Sequence, residues 1–363
     1  MRNDMKTNKA VFSSILMMVL LLCSCGGLTR GDFKDSAEGS VSDKILSLAS
    51  LSPSGHNTQP WTVRIISEDK WIIGWDKNRA LGAVDPGNRE LIISLGAFCE
   101  AVKIASEKYG LHAKITTVAK NNFDDVIAEI VFTQGKVEGK KSILLEKRRI
   151  VRKGHLSKPL SAEDKEKLKS DVVSKVYYFD RESEEGKLIE KAVFESNMVQ
   201  TKREDAVKEL ADWIRWSDEE IRTKRDGLTP SGMEIGGIAN FVVRNFYSRE
   251  DALTESFRES SMKAVKEQLS SYGTWIIIAT EKETPSHLMT AGADFLKIGI
   301  AGIEKNIALH PMTQPIEENE FKLHLKKALP VKGEIQFVLR SGYVEEYPLP
   351  VSVRMEVKQI IRK

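Results

Sequence analysis

Two long apolar helices constrain this chain more than any other feature. Periodicity places one over residues 89–109 and the other over 287–307. Both open with the same small-residue run, Ser94-Leu95-Gly96-Ala97 and Thr290-Ala291-Gly292-Ala293, and both carry a Glu-Lys pair near the end. Small residues on one face mark tight packing, and a repeated pattern of this length predicts two related halves rather than one irregular domain. Chance likeness between two amphipathic helices is the alternative reading.

Around this pair the pattern alternates between helix and strand. Residues 43–51 read as a helix that stops at Ser52-Pro53, 61–66 and 71–75 as short strands, and Asp85-Pro86-Gly87-Asn88 as a turn. Strands over 113–118 and 126–132 complete a first half, and a polar stretch over 133–141 reads as the seam. Helices are expected over 143–149, 163–170, 187–216 and 354–360, with a Gly-rich stretch at 227–237 and strands over 272–280 and 334–340.

The first residues carry Arg2, Lys6 and Lys9, then an apolar run of about thirteen residues from Ala10 to Leu22. A bilayer core needs roughly 20, so the run reads as a secretion signal rather than a spanning helix. Leu22, Ser24 and Cys25 resemble the bacterial lipobox, which implies cleavage before Cys25 and acylation of its thiol and new amine. Residues 1–24 are then signal and 25–42 an acylated polar tether, and the expected location is the cell envelope, held to a membrane through the lipid alone. Removing 1–24 takes three cations and one anion from 55 and 52, leaving 52 against 51. So balanced a chain offers no footprint for nucleic acid. Cys99 sits in an apolar helix and reads as a small buried hydrophobe, so no disulfide framework is expected.

Phosphate-loop, zinc-protease, paired-cysteine and serine-hydrolase motifs are missing, and the six histidines show no ligand spacing, so no metal is assigned. What stands out is Ser52-Pro53-Ser54-Gly55-His56-Asn57-Thr58-Gln59-Pro60-Trp61. Two prolines and a glycine fix its backbone, while Ser54, His56, Asn57 and Gln59 offer donors and acceptors suited to a planar heterocycle with mixed edges. A purely structural loop is the plainer alternative.

This stretch resembles the Ser-Pro-Ser-x-x-Asn-x-Gln-Pro-Trp signature of the FMN-dependent nitroreductase family. Arg148-Arg149-Ile150-Val151-Arg152 is similar to the family's phosphate-gripping Arg-Arg-Ser-x-Arg, with Ile150 in place of the serine. The helix from Ala291-Gly292 through Met312-Thr313-Gln314-Pro315 resembles the late helix whose closing loop lies against the flavin. Arg340-Ser341-Gly342-Tyr343 stands where the family has a Gly-Tyr turn, and in Pro350-Val351-Ser352-Val353-Arg354 only Arg354 carries over as a phosphate contact. Ordinary members are shorter chains that build each site across a dimer. This one resembles the fused branch often labelled Acg, which explains the helix repeat.

The resemblance implies an α+β, nitroreductase-like fold of mainly antiparallel sheets packed by helices, with halves at 43–140 and 141–363 forming an internal pseudo-dimer in a monomer. A segment at 207–240, containing Trp213 and Trp216, is expected as a lid. It implies FMN as cofactor, held by Ser54, His56, Asn57, Gln59, Arg148, Arg149, Arg152, Gln314 and Arg354. The implied activity is reduction of a nitro compound, quinone or similar planar small molecule. No acid or base is demanded by spacing, although His56 ordinarily titrates near neutrality and is the candidate proton donor. The rival readings are a lipoprotein that holds FMN without turnover and an envelope scaffold without cofactor.

Overall fold

The computed structural model describes residues 27–33 and 39–362. The signal segment and Cys25 lie outside the described residues. After helix α1 (Val41–Ala49) the chain forms β1 (Trp61–Ser67), β2 (Lys70–Trp75), the long helix α2 (Arg89–Glu107), β3 (Leu111–Thr117) and β4 (Val126–Gln134). Helices α3 (Lys140–Lys147) and α4 (Ala162–Leu168) lead to β5 (Lys175–Asp180). Then come α5 (Glu184–Gln200), α6 (Glu204–Trp213), α7 (Asp218–Lys224), α8 (Gly237–Phe246) and α9 (Glu255–Leu269). The chain ends with β6 (Thr274–Thr280), α10 (Pro285–Ile303), β7 (Ile307–Pro311), α11 (Gln314–Glu317), α12 (Asn319–Ala328), β8 (Glu334–Tyr343) and α13 (Val357–Ile360).

The class is α+β, two four-stranded antiparallel sheets packed by helices. The first sheet runs in the order β1-β2-β4-β3 and the second β5-β6-β8-β7. Each inserts its long helix between its second and third strands, so one topology occurs twice. Helices α2 and α10 cross in backbone contact. A methyl built on Gly292 would overlap the carbonyl oxygen of Ile93, and one on Gly96 would overlap that of Met289.

One core spans the crossing. It joins Trp61, Ile73, Ile127 and Ile130 of the first sheet to Ile276, Ile278 and Leu339 of the second through Ile92, Leu95, Phe98, Leu296 and Ile298. A second core lies on the far face of the second sheet, where Trp275, Ile277 and Val338 meet Ile189, Val193 and Leu325. Strand β6 is therefore buried along its whole length, whereas β1 is exposed over its last four residues. The C-terminal segment crosses back to the first half, where Ile361 bridges Val63 and the Arg362 amide donates to the Val63 carbonyl at 2.9 Å.

Several boundaries differ from those read in the sequence. The helix expected over 187–216 breaks between α5 and α6 at residues 201–203. Strand β5 was not anticipated, nor was β7, which follows α10 after Asn306 takes a left-handed φ of 51°. Residues 340–343 form no turn: they are the end of β8, with Gly342 paired to Ala308. Arg354 is not helical, because the terminal helix covers only Val357–Ile360. Cys99 is buried, and desolvation raises its thiol far above the ordinary range, as expected of a small hydrophobe.

The crossing makes a two-signed prediction. Gly292→Val forces a side chain into the Ile93 backbone and lowers unfolding stability by about 3 kcal/mol. Gly299→Ala on the same helix meets nothing nearer than 3.9 Å and raises it by roughly 0.5–1 kcal/mol. Urea titrations of both variants check the contrast.

Candidate functional site

The loop between α1 and β1 stores strain. His56, Asn57 and Gln59 have φ values of 45°, 55° and 52°, left-handed backbone that non-glycine residues rarely adopt. Three such residues within four positions persist only where surrounding bonds over-determine them. Here the Gln59 amide donates to Ser54 Oγ at 2.9 Å. Asn57 Nδ2 donates to the carbonyls of Gly227 and Val353 at 3.1 and 3.2 Å, and its Oδ1 accepts from Arg354 Nη1 at 3.0 Å. Gln59 is fully buried; its Nε2 donates to the Arg225 carbonyl at 3.0 Å and its Oε1 accepts from the Met355 amide at 2.9 Å.

Above this loop lies a cavity of about 340 Å3, within the range usual for small-molecule sites. The helix crossing forms one wall, with Ile93, Ser94 and Ala97 from α2 and Phe295 from α10, the last stacked on Phe337 at 4.5 Å. Ser54, Gly55 and His56 enter from the loop before β1, Ile150 and Arg152 from the segment after α3, and His310 and Gln314 from β7 and α11. Val207, Leu210 and Leu228 close another side. Of the residues named from sequence, then, Ser54, His56, Arg152 and Gln314 meet in one cavity. Asn57 and Gln59 do not line it; they bind the loop to the C-terminal segment and to residues 225–227.

The arginines divide likewise. Arg152 reaches the cavity, donating from Nη1 to His310 Nε2 at 2.8 Å. Arg148 and Arg354 pack behind the loop, where their Nη2 atoms converge on the Leu51 carbonyl at 2.9 and 3.3 Å. Arg148 is buried, its Nε finds no hydrogen-bond partner, and it makes no ion pair among the described residues. Burial lowers its pKa to about 10. Arg149 turns away into a separate surface groove, paired with Glu234 at 2.5 Å and donating to the Leu349 carbonyl. Trp216 is a core residue, packed on Ala211, Ile214 and Ala252, whereas Trp213 is half-buried against Leu81, Val84 and Ala206.

Burial also reverses the expected proton chemistry. The surface His56 retains belongs to the cavity wall, and desolvation holds its imidazole down at about 4, with Glu90 pulling upward and Arg152 downward by less. His56 is therefore neutral at pH 7 and holds no imidazolium proton there, unlike the ordinary histidine from which it was named a candidate donor. His310 is pushed well below its usual value by burial and then by Arg152 and Arg340. It accepts the Arg152 bond as neutral imidazole, and its Nδ1 has no partner.

The acid end escaped the sequence reading altogether. Glu90 and Glu317 both line the cavity. Burial, reinforced by Glu90, pushes the Glu317 carboxyl up to about 8, against bonds from Gln200 at 2.6 Å and Thr313 at 2.9 Å. Asp85, whose Oδ2 accepts from the Leu91 amide, is raised by burial and by Glu90 as well. Only spatial assembly identifies these acids, since 90 and 317 are far apart in sequence and sit in no motif.

Comparisons with known proteins bear on part of the chain. No family model matches it. A stretch of 94 residues, 26% of this chain, is 34% identical to the protein named "Putative NAD(P)H nitroreductase acg" from two strains of Mycobacterium tuberculosis. It spans 28% of that relative's length, well under two thirds. Among solved structures, the nitroreductase-like family protein from Bacillus cereus superposes with a TM-score of 0.34 at 12% identity, covering 61% of this chain and 95% of that one.

The Glu317 shift fixes a pH dependence. An unfolded glutamate releases its proton near about 4.3, whereas the folded carboxyl keeps it up to about 8. Folding therefore takes up a proton in that window, and this residue's contribution to stability falls as pH rises through it. Glu317→Gln flattens that share of the slope, so its stability relative to the parent rises from pH 5 to pH 8. Urea unfolding at a series of pH values from 5 to 8.5 measures both effects.

Proposed function

We propose that this chain is a flavin-dependent oxidoreductase of the nitroreductase type, with FMN held in the cavity between its two halves. The carrying observation is the composition of that cavity. It joins a strained polar loop from the first half to Arg152 and Gln314 from the second. It also leaves His56 Nδ1, His310 Nδ1 and Gln314 Oε1 buried without a protein partner. Buried polar atoms normally find partners, so such a set along a cavity of mixed polar and apolar lining suits a planar heterocycle with donor and acceptor edges. The repeated sheet topology supports reading the halves as a fused pseudo-dimer. The 94-residue likeness to a nitroreductase points the same way.

When bound, FMN would take up electrons from a donor and pass them to a planar acceptor such as a nitro compound or quinone. The chain's own residues bind, orient and protonate. Arg152 supplies positive charge at the cavity wall, and Arg148 and Arg354 add more from behind residues 51 and 52, an arrangement suited to a phosphate. Arg149, engaged by Glu234, is left out of that set. Ser54 and Gln314 present hydroxyl and amide groups to the ring. Val207, Leu210 and Leu228 exclude water, as the expected lid would. Glu317, protonated at neutral pH, is positioned to donate a proton to a reduced acceptor in place of His56.

With Cys25 lipid-modified, the protein works in the envelope, where reduced nicotinamide is not at hand. A membrane donor such as a quinol then fits better than the nicotinamide in the relative's name.

Absorbance after incubation with FMN tests the reading. A yellow holoprotein that reduces a nitroaromatic with dithionite or a reduced quinone analogue is the expected result. Arg152→Glu raises the FMN dissociation constant at least about tenfold, roughly 1.4 kcal/mol, while Arg149→Ala leaves it within about twofold. Protein that stays colourless overturns the proposal, and a yellow protein without turnover turns it into FMN holding.

A further inference from the structure

Helix α8 (Gly237–Phe246) is amphipathic in the wrong sense for a helix on a water-facing surface. Its buried positions are polar. Asn240 Nδ2 donates to the Ile235 carbonyl at 2.8 Å, and Arg244 donates to Asn240 Oδ1 and to Asp218 Oδ2, both at 2.6 Å. Apart from Asn245, its outward positions are apolar. Ile238 and Phe246 are each 72% exposed, and half-buried Val242 lies between them at the i, i+4, i+8 spacing of one helix face. Tyr247 extends the stripe beyond the helix end. Surface helices ordinarily bury such a face, so one turned outward marks a surface that something covers.

The N-terminal strap says what covers it. A side chain on Gly27 would collide with Asn240 and Ser231, so the chain passes Gly27 in close contact with the polar face of α8, opposite its apolar one. The Arg30 amide then donates to the Val351 carbonyl at 3.0 Å, and the Phe33 ring lies under the Arg225 guanidinium at 4.7 Å. The strap is thus fixed on the same side of the molecule as α8. Leu349, 82% exposed and two residues from that Val351 contact, adds a further apolar side chain. Cys25 is two residues before Gly27, a span of at most about 7 Å. A lipid on Cys25 therefore holds the bilayer surface beside α8 rather than at the end of a long leash. Among the described residues no helix is long and apolar enough to cross a membrane, so the geometry calls for lying on the surface, not spanning it.

We propose that the outer face of α8, with Ile238, Val242, Phe246, Tyr247 and neighbouring Leu349, docks on the lipid surface in which the Cys25 anchor is embedded. The inference rests on reading Cys25 as lipid-modified. It gives the cavity an orientation. Val243, on the inner side of α8, packs on the cluster of Ala211, Ile214, Trp216 and Ala252, which also holds Leu210, Leu228 and Phe257. Those last three residues line the cavity. That cluster and α8 then lie between the cavity and the bilayer.

The test uses the full lipidated chain in phosphatidylethanolamine–phosphatidylglycerol vesicles. An environment-sensitive fluorophore is placed at Ile238→Cys or Phe246→Cys, and at Val173→Cys as a control outside the patch, 78% exposed. Cys99 is buried and does not compete for the label. The expected result is blue-shifted emission at 238 and 246, quenched by spin-labelled lipid at least threefold more than at 173. Water-like emission at both sites in protein that floats with the vesicles overturns docking while leaving the anchor intact. A blue shift without quenching by lipid means a protein covers the face and also overturns it. Flotation that persists in Cys25→Ser, or is absent in the parent, removes the anchor and the proposal with it. Flavin absorbance read on the same samples reports on the proposed function independently of all four outcomes.

Discussion

Backbone contact between α2 and α10 is the constraint on which the rest depends. Gly96 and Gly292 leave no room for a side chain at the crossing, so the helices meet at one depth and one register, and each carries its own four-stranded sheet into position. The cavity is a by-product of the same contact. Ser94 stands two residues before Gly96 and accepts a hydrogen bond from the Gly55 amide at 3.4 Å, while Phe295 stands three residues after Gly292. Any shift at the crossing would move a wall of the cavity and the loop opposite it together. Close-packed interiors transmit displacement rather than absorb it.

The strained loop depends on a second constraint, the return of the C-terminal segment. Residues 353–355 run past Asn57 and Gln59 and accept or donate three of the bonds that hold left-handed backbone in place. That is why the polar crowding in 52–61 divides in two. Residues with long side-chain amides hold the loop together, and the smaller Ser54 and Gly55, with His56, are left to face the cavity. From sequence alone all four polar residues looked equally available. Hydrogen-bonding capacity is legible in a sequence, but not whether the protein itself consumes it.

The same distinction explains what else was and was not legible. The long helices, the first sheet and β6 follow from periodicity and turn residues, and the structure reproduces them. Strand β5 is not legible although Val176, Tyr177, Tyr178 and Phe179 carry strand propensity, because this edge strand is a short consecutive run with no two-residue alternation. Strand β7 was hidden because only Glu304, Lys305 and Asn306 separate it from α10. No glycine marks the stop there, and the left-handed Asn306 is a weaker signal. In the site, local motifs led to Ser54, His56 and Arg152, whereas Glu90, Glu317 and His310 come from separate elements and meet only through the tertiary fold. The weak internal repeat in the sequence matches a strand order that occurs twice.

Desolvation then sorts the cavity's ionisable groups by sign. The same burial that strips the proton from His56 and His310 keeps one on Glu317, because in each case the neutral form is the one favoured away from water. Arginine is the exception, since even with its pKa lowered the guanidinium of Arg152 stays charged at neutral pH. The cavity at pH 7 thus holds a fixed cation on one wall, neutral imidazoles beside it and a protonated acid among the remaining lining groups. An anionic group is favoured beside the cation, and the carboxyl of Glu317 keeps its proton because burial and the Glu90 charge both disfavour the carboxylate. A site with histidine as the donor would need water or a stronger counter-charge to keep imidazolium alive. This chain has arranged the apolar walls instead, so the proton resides on the acid.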